Sequence, residues 1–152
     1  MFFTRRSSQV VIESVVLDDF SRLARKNLYS HFEKWEYGVI LPSGIEVYNA
    51  LGSAGDIVRV HNGNTYRSMI QLWKELTEEE VKCYNANCRG CSSSVDGAHV
   101  LLSKPYRKLQ IGDNVLIIPL CHNCNVATSS DEPIILDKDV RAVALTWNGE
   151  TI

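Results

Sequence analysis

Large apolar residues recur at roughly helical spacing early in the chain, at Phe20, Leu23, Leu28, Phe32 and Trp35, with Arg22, Arg25, Lys26 and Lys34 on the opposite side. Such a stripe predicts an amphipathic helix over a solvated face. Asp18 or Asp19 can accept the orphan amide hydrogens at its start, and Gly38 can supply a left-handed stop. Ahead of it, residues 1–12 read as an arm leading into the β-branched run Val10-Val11-Ile12.

The period then shortens. Val39-Ile40-Leu41, the turn Pro42-Ser43-Gly44 and the alternating Ile45–Tyr48 predict two strands of a hairpin. Asp56–His61 predicts another strand, closed by the turn signal Asn62-Gly63-Asn64. Tyr66, Met69, Ile70, Trp73 and Leu76 fit a second helix, and Thr77-Glu78-Glu79-Glu80 has the pattern that opens a third. Further on, Val95–Leu102 and Val115–Leu120 predict strands, Asn125–Asp131 a short helix ending before Pro133, and Ile134–Leu136 and Val140–Trp147 closing strands.

Composition narrows the class. Of 152 residues 45% are hydrophobic and 22% charged, the balance of an ordinary globular domain and not of a disordered chain. With 16 Lys+Arg against 18 Asp+Glu, the chain is not basic throughout. No apolar run approaches the roughly 18 residues that a membrane span needs, and the start Met1-Phe2-Phe3-Thr4-Arg5-Arg6 lacks the order of a secretory signal. The expectation is a soluble cytoplasmic protein with no membrane partner.

Five cysteines, all in the second half, change the picture: Cys83, Cys88, Cys91, Cys121 and Cys124. An odd number without a signal peptide disfavours a disulfide framework, and two C-x-x-C pairs favour a metal. Cys88-Arg89-Gly90-Cys91 and Cys121-His122-Asn123-Cys124 each allow two sulfurs to reach one ion. Four thiolates complete the tetrahedron preferred by Zn²⁺ and leave no position open for water, so the expected zinc is structural, with Cys88, Cys91, Cys121 and Cys124 as ligands. Cys83 reads as a spare thiol in a helix. A redox pair would need a neighbouring βαβ pattern, which is missing.

Between the pairs the order is knuckle, strand, loop, strand, second pair, helix. With Cys88-x-x-Cys91, Gly97-Ala98-His99-Val100 and Ile118-Pro119-Leu120-Cys121-His122-Asn123-Cys124-Asn125, the stretch 88–125 resembles the HNH endonuclease family, in its members with two structural cysteine pairs. The resemblance implies a treble-clef ββα unit. It also implies His99 as the base that activates water against a phosphodiester, Asn114 as the residue orienting that base, and Asn125 beside a catalytic Mg²⁺ or Mn²⁺. The chain departs from the pattern at Ala98, where the family carries a metal ligand; Asp96 or Asp131 would have to substitute.

Local charge agrees with a polyanionic partner. From Val81 to Asn125 five basic residues face two acidic ones, and Lys104-Pro105-Tyr106-Arg107-Lys108 sets an aromatic among cations, a composition suited to DNA or RNA. The whole is expected to be an α+β protein with a small unit of unknown role over residues 1–80 and an HNH-like zinc treble-clef unit over 81–152. Its function is expected to be nucleic-acid binding or metal-dependent phosphodiester cleavage. The alternative is a non-catalytic zinc-stabilised module that binds a protein partner.

Overall fold

A computed structural model describes residues 31–51, 60–61, 64–65, 68–110 and 112–147. Strands β1 (Glu33–Trp35), β2 (Gly38–Leu41), β3 (Glu46–Asn49), β4 (Val60–His61) and β5 (Asn64–Thr65) precede helix α1 (Met69–Thr77). Then come β6 (Val95–Leu101), β7 (Asn114–Cys121), helix α2 (His122–Ala127), β8 (Ile134–Ile135) and β9 (Val140–Thr146). Seven strands form one sheet in the order β1-β2-β9-β7-β6-β3-β8, antiparallel at every pairing, while β4 and β5 pair separately.

This overturns the expected α+β class with a treble-clef unit. The protein is mostly β, with two short helices among the described residues, and the β6–β7 hairpin is the centre of a wide sheet instead of a small metal-bound unit of its own. Strands on both sides of residue 80 contribute to that sheet. The reason lies in β7. Val115, Leu116, Ile117, Ile118 and Leu120 are all buried, so both faces of the strand are covered, as a continuous apolar run requires. Among the described residues no helix is long and apolar enough to cross a membrane.

Several elements differ from expectation. Residues 18–30 lie outside the described residues, but Trp35 sits in strand β1, paired with Gly38, and not in a helix. Strands β2 and β3 exist but do not form a hairpin: β2 pairs with β9, and β3 with β6 and β8. Thr77 closes a helix instead of opening one. Its hydroxyl donates to Trp73 O at 2.9 Å and accepts from Glu79 N at 3.2 Å, while Glu78 takes the left-handed conformation (φ 56°) that ends α1.

Two glycines set the packing. A Cβ on Gly97 would lie 2.7 Å from the Met69 backbone and side chain, so α1 rests directly on that point of β6. Trp73, fully buried in α1, donates its indole N–H to Arg141 O at 2.7 Å and ties the helix to β9. Gly38 is crowded by Ala142 O across the β2–β9 pair, which leaves no room there for a side chain.

Candidate metal centre

The cysteines meet because the chain after α1 is laid along the end of β7. The β7–β9 pairing stops at Ile117↔Val143, so beyond it β7 has no strand on that side. Pro119, which has no N–H to offer, sits there opposite Gly97, and its carbonyl accepts Tyr84 N at 3.2 Å. On its other flank the segment is held by the Asn85↔Leu136 bridge, by Ala86 N donating to Ile135 O at 2.8 Å, and by Asp137 N donating to Tyr84 O at 3.0 Å. Cys83 therefore lies in an irregular segment next to the end of β7, not in a helix as the sequence suggested.

The first knuckle follows a turn in which Asn85 accepts twice, from Asn87 N through Oδ1 (3.0 Å) and from Cys88 N through its carbonyl (3.1 Å). Gly90, at φ 154°, adopts a backbone conformation that side-chain-bearing residues rarely take. The second knuckle is the start of α2. Cys121 is its N-cap, with Sγ accepting Cys124 N at 3.4 Å, while His122 N reaches Ser94 O at 3.0 Å and Asn123 N reaches Ser92 Oγ at 3.3 Å. The helix thus begins three residues before the expected Asn125.

The sulfurs of Cys83, Cys88, Cys91 and Cys121 all lie within 4.8 Å of one another. Cys88 and Cys91 Sγ are 2.9 Å apart, and Cys88 and Cys121 Sγ are 3.8 Å apart. Sulfurs on a tetrahedral Zn²⁺ at about 2.3 Å are separated by about 3.8 Å. The cluster is therefore close enough to hold a metal ion such as zinc. Cys124, expected as the fourth ligand, borders the same group, and its Sγ accepts Asn85 Nδ2 at 3.4 Å.

The electrostatics prepare thiolates at some positions and hold protons at others. Burial alone would push the Cys121 thiol up, but the backbone at Cys124 and Ser92 and the thiols of Cys124 and Cys88 together bring it down to about 6. The Cys88–Cys91 hydrogen bond lowers Cys88 and pushes Cys91 up to about 12, as expected of two thiols sharing one proton. Burial raises Cys83 and Cys124.

Side-chain alternation decides which other residues can cooperate. Asp96, Ala98 and Val100 point to one face of β6, and Gly97 and His99 to the face carrying α1. In an antiparallel pair, directly opposed residues share a face. Asn114 shares its β7 face with Leu116, the partner of Val100, and so lies on the Asp96 face, roughly 20 Å along the strand from the Asp96↔Leu120 pair at about 3.4 Å per residue. There it accepts Thr146 Oγ1 at 3.5 Å. Asn125 in α2 is also on the Asp96 face. The fold does not bring His99, Asn114 and Asn125 together: His99 is on the other side of the sheet, and Asn114 is at its far end.

What does come together is Asp96, His122 and Asn125, a grouping of which the sequence indicated Asp96 and Asn125 but not His122. Asp96 Oδ2 meets His122 Nδ1 at 2.8 Å and accepts Asn125 Nδ2 at 2.9 Å. Asn49 in β3 secures the end of α2, donating through Nδ2 to Asn125 O (3.4 Å) and Thr128 O (3.1 Å). Both contacts end on the same carboxylate oxygen, so Asp96 ties the start of α2 to β6 by hydrogen bonds. Beside the cysteines a polar cleft of about 650 Å³ opens between Asn85, Arg89, Asn123 and Thr128.

In the basic loop, Tyr106 is 88% exposed, with the Arg107 guanidinium 5.6 Å from its ring. Arg107 is already engaged: it donates to both Asp113 oxygens, at 2.6 and 3.1 Å, and holds the Asp113 carboxyl below its usual range. The chain matches no family model, no curated protein and no solved structure.

Proposed function

We propose that this chain is a zinc-stabilised, HNH-like protein that binds nucleic acid, and that any phosphodiester cleavage is centred on Asp96, His122 and Asn125. The observation that carries the reading is the convergence of His122 and Asn125 on one oxygen of Asp96, beside the cysteine centre. Asp96 occupies the position two before Ala98 on the same strand face, so it can take over the ligand role that Ala98 lacks. An Asp96 carboxylate oxygen and a His122 ring nitrogen, with Asn125 turned to present its amide oxygen, would hold Mg²⁺ or Mn²⁺. Such an ion, when bound, stabilises the charge developing on the leaving oxygen. The zinc has no part in the chemistry in this reading. It pins the segment 83–91 to the hairpin that carries Asp96.

The test is nicking of supercoiled DNA and cleavage of single-stranded RNA with Mg²⁺ or Mn²⁺. Asp96→Asn is expected to lower the rate by about a hundredfold or more with zinc content and unfolding midpoint retained. Loss in His99→Ala with activity kept in Asp96→Asn would place the chemistry on the α1 face instead.

The separation of His99, Asn114 and Asn125 favours a second reading, a non-catalytic module whose zinc stabilises a protein-binding surface. It predicts no cleavage with either cation, and partner binding that is indifferent to Asp96→Asn.

A further inference from the structure

Five sulfurs crowd a centre whose ion would take four. The quartet within mutual reach includes Cys83, outside both C-x-x-C pairs, while Cys124, inside the second pair, adjoins it from the α2 side. Both are buried, and hydrogen bonds hold the backbone on which each approaches. Cys83 is placed by the Tyr84 N–Pro119 O hydrogen bond, and Cys124 by the α2 cap, where its amide donates to Cys121 Sγ. Asn85 lies between the two, its own turn anchoring Cys88 and its amide donating to Cys124 Sγ at 3.4 Å. That hydrogen bond gives the Cys124 sulfur a partner when it is not on the ion. Cys88, Cys91 and Cys121 belong to the quartet under either choice of the fourth ligand.

We infer that the centre is a five-thiol site in which Cys83 and Cys124 are alternative fourth ligands to one zinc ion held by Cys88, Cys91 and Cys121. The inference rests on the cysteine cluster being a zinc site. Exchange at the fourth position trades an anchor on the strap after α1 for an anchor on α2, the helix that carries His122 and Asn125. The exchange is redox-neutral: one thiolate sulfur leaves the ion and takes a proton as the other gives up its own and binds.

Cobalt substitution of the full chain reads the ligand set directly, through the intensity of the sulfur-to-cobalt charge-transfer bands. Wild type, Cys83→Ser and Cys124→Ser are each expected to bind one ion with the intensity of four thiolates. The double variant should lose about a quarter of that intensity and bind at least about tenfold more weakly. Loss of the fourth thiolate in only one of the two single variants would overturn the exchange and name the fixed ligand. Because a variant can fail to fold, the wild-type chain loaded with ¹¹³Cd supplies a second measurement. Cadmium–proton correlations to the β-protons of both Cys83 and Cys124 support exchange, and correlations to one alone overturn it. A wild-type chain that binds no stoichiometric cobalt, zinc or cadmium would overturn the metal reading itself, a result distinct from either pattern.

Discussion

Cys88 Sγ and Cys121 Sγ lie 3.8 Å apart although 33 residues separate them in the chain. An entire β-hairpin, β6 and β7 with their loop, is closed between those two sulfurs. An ion bound there would tie the end of the central strand β7 to a segment with no strand of its own, so metal binding would stabilise the fold of residues 83–91.

Metal affinity should therefore depend steeply on pH. Cys91 is pushed up by its hydrogen bond to Cys88 and Cys83 by burial, so the ion must displace protons that these thiols keep at neutrality. Metal binding releases protons, and affinity rises with pH. It falls as the pH drops toward about 6, where Cys121 itself takes up a proton. Competition titrations with a chromogenic chelator should show zinc affinity falling by at least about tenfold from pH 8 to pH 6. A flat profile would contradict the thiolate assignment.

Gly97→Ala tests the seat of α1. The added methyl would stand 2.7 Å from Met69, so strand or helix must shift. The expected loss is about 1–3 kcal/mol in urea unfolding, with zinc content unchanged. An unchanged midpoint would mean that α1 does not rest on β6 at this point.

Trp73→Ala removes a fully buried side chain and leaves Arg141 O without its indole donor. A cost of about 3–5 kcal/mol is expected by chemical denaturation, among the largest for any single truncation here. A cost under about 1 kcal/mol would place Trp73 outside the core.

Arg107 and Asp113 form a partly exposed pair whose effect is measurable at the carboxyl. Arg107 hydrogen bonds hold Asp113 down, so the pair contributes stability above the ordinary carboxylate range and loses it as pH falls through the depressed value. In Arg107→Ala the Asp113 titration, followed by carboxyl carbon NMR, should move up toward about 3.9. Solvent screening keeps the change in overall stability small. An unmoved titration would show that Arg107 does not hold the carboxyl.

Strands β6, β7 and β9 were readable in the sequence because their apolar runs are long and bounded by turn residues. The two C-x-x-C pairs were readable because short spacing is a local property. Partner choice between strands was not: β3 pairs with β6 and β8 across the chain, and no period in Glu46–Asn49 encodes that. Thr77 misled because a hydroxyl ahead of glutamates suits the opening of a helix, whereas here it closes one. Cys83 was missed for the same reason, since a third helix was expected to carry it. The only local signal was its spacing of five residues before Cys88. The grouping of His122 with Asp96 and Asn125 depends on α2 starting at an unusual cap, a cysteine sulfur, which propensity does not anticipate.

The most direct measurement of the central claim is metal content of the purified full chain combined with unfolding before and after chelation. The account predicts one zinc per chain and, once a chelator strips it, loss of a single cooperative transition, with amide-exchange protection lost first around residues 83–91. Absence of stoichiometric metal, or an unfolding curve that chelation leaves unchanged, would contradict it.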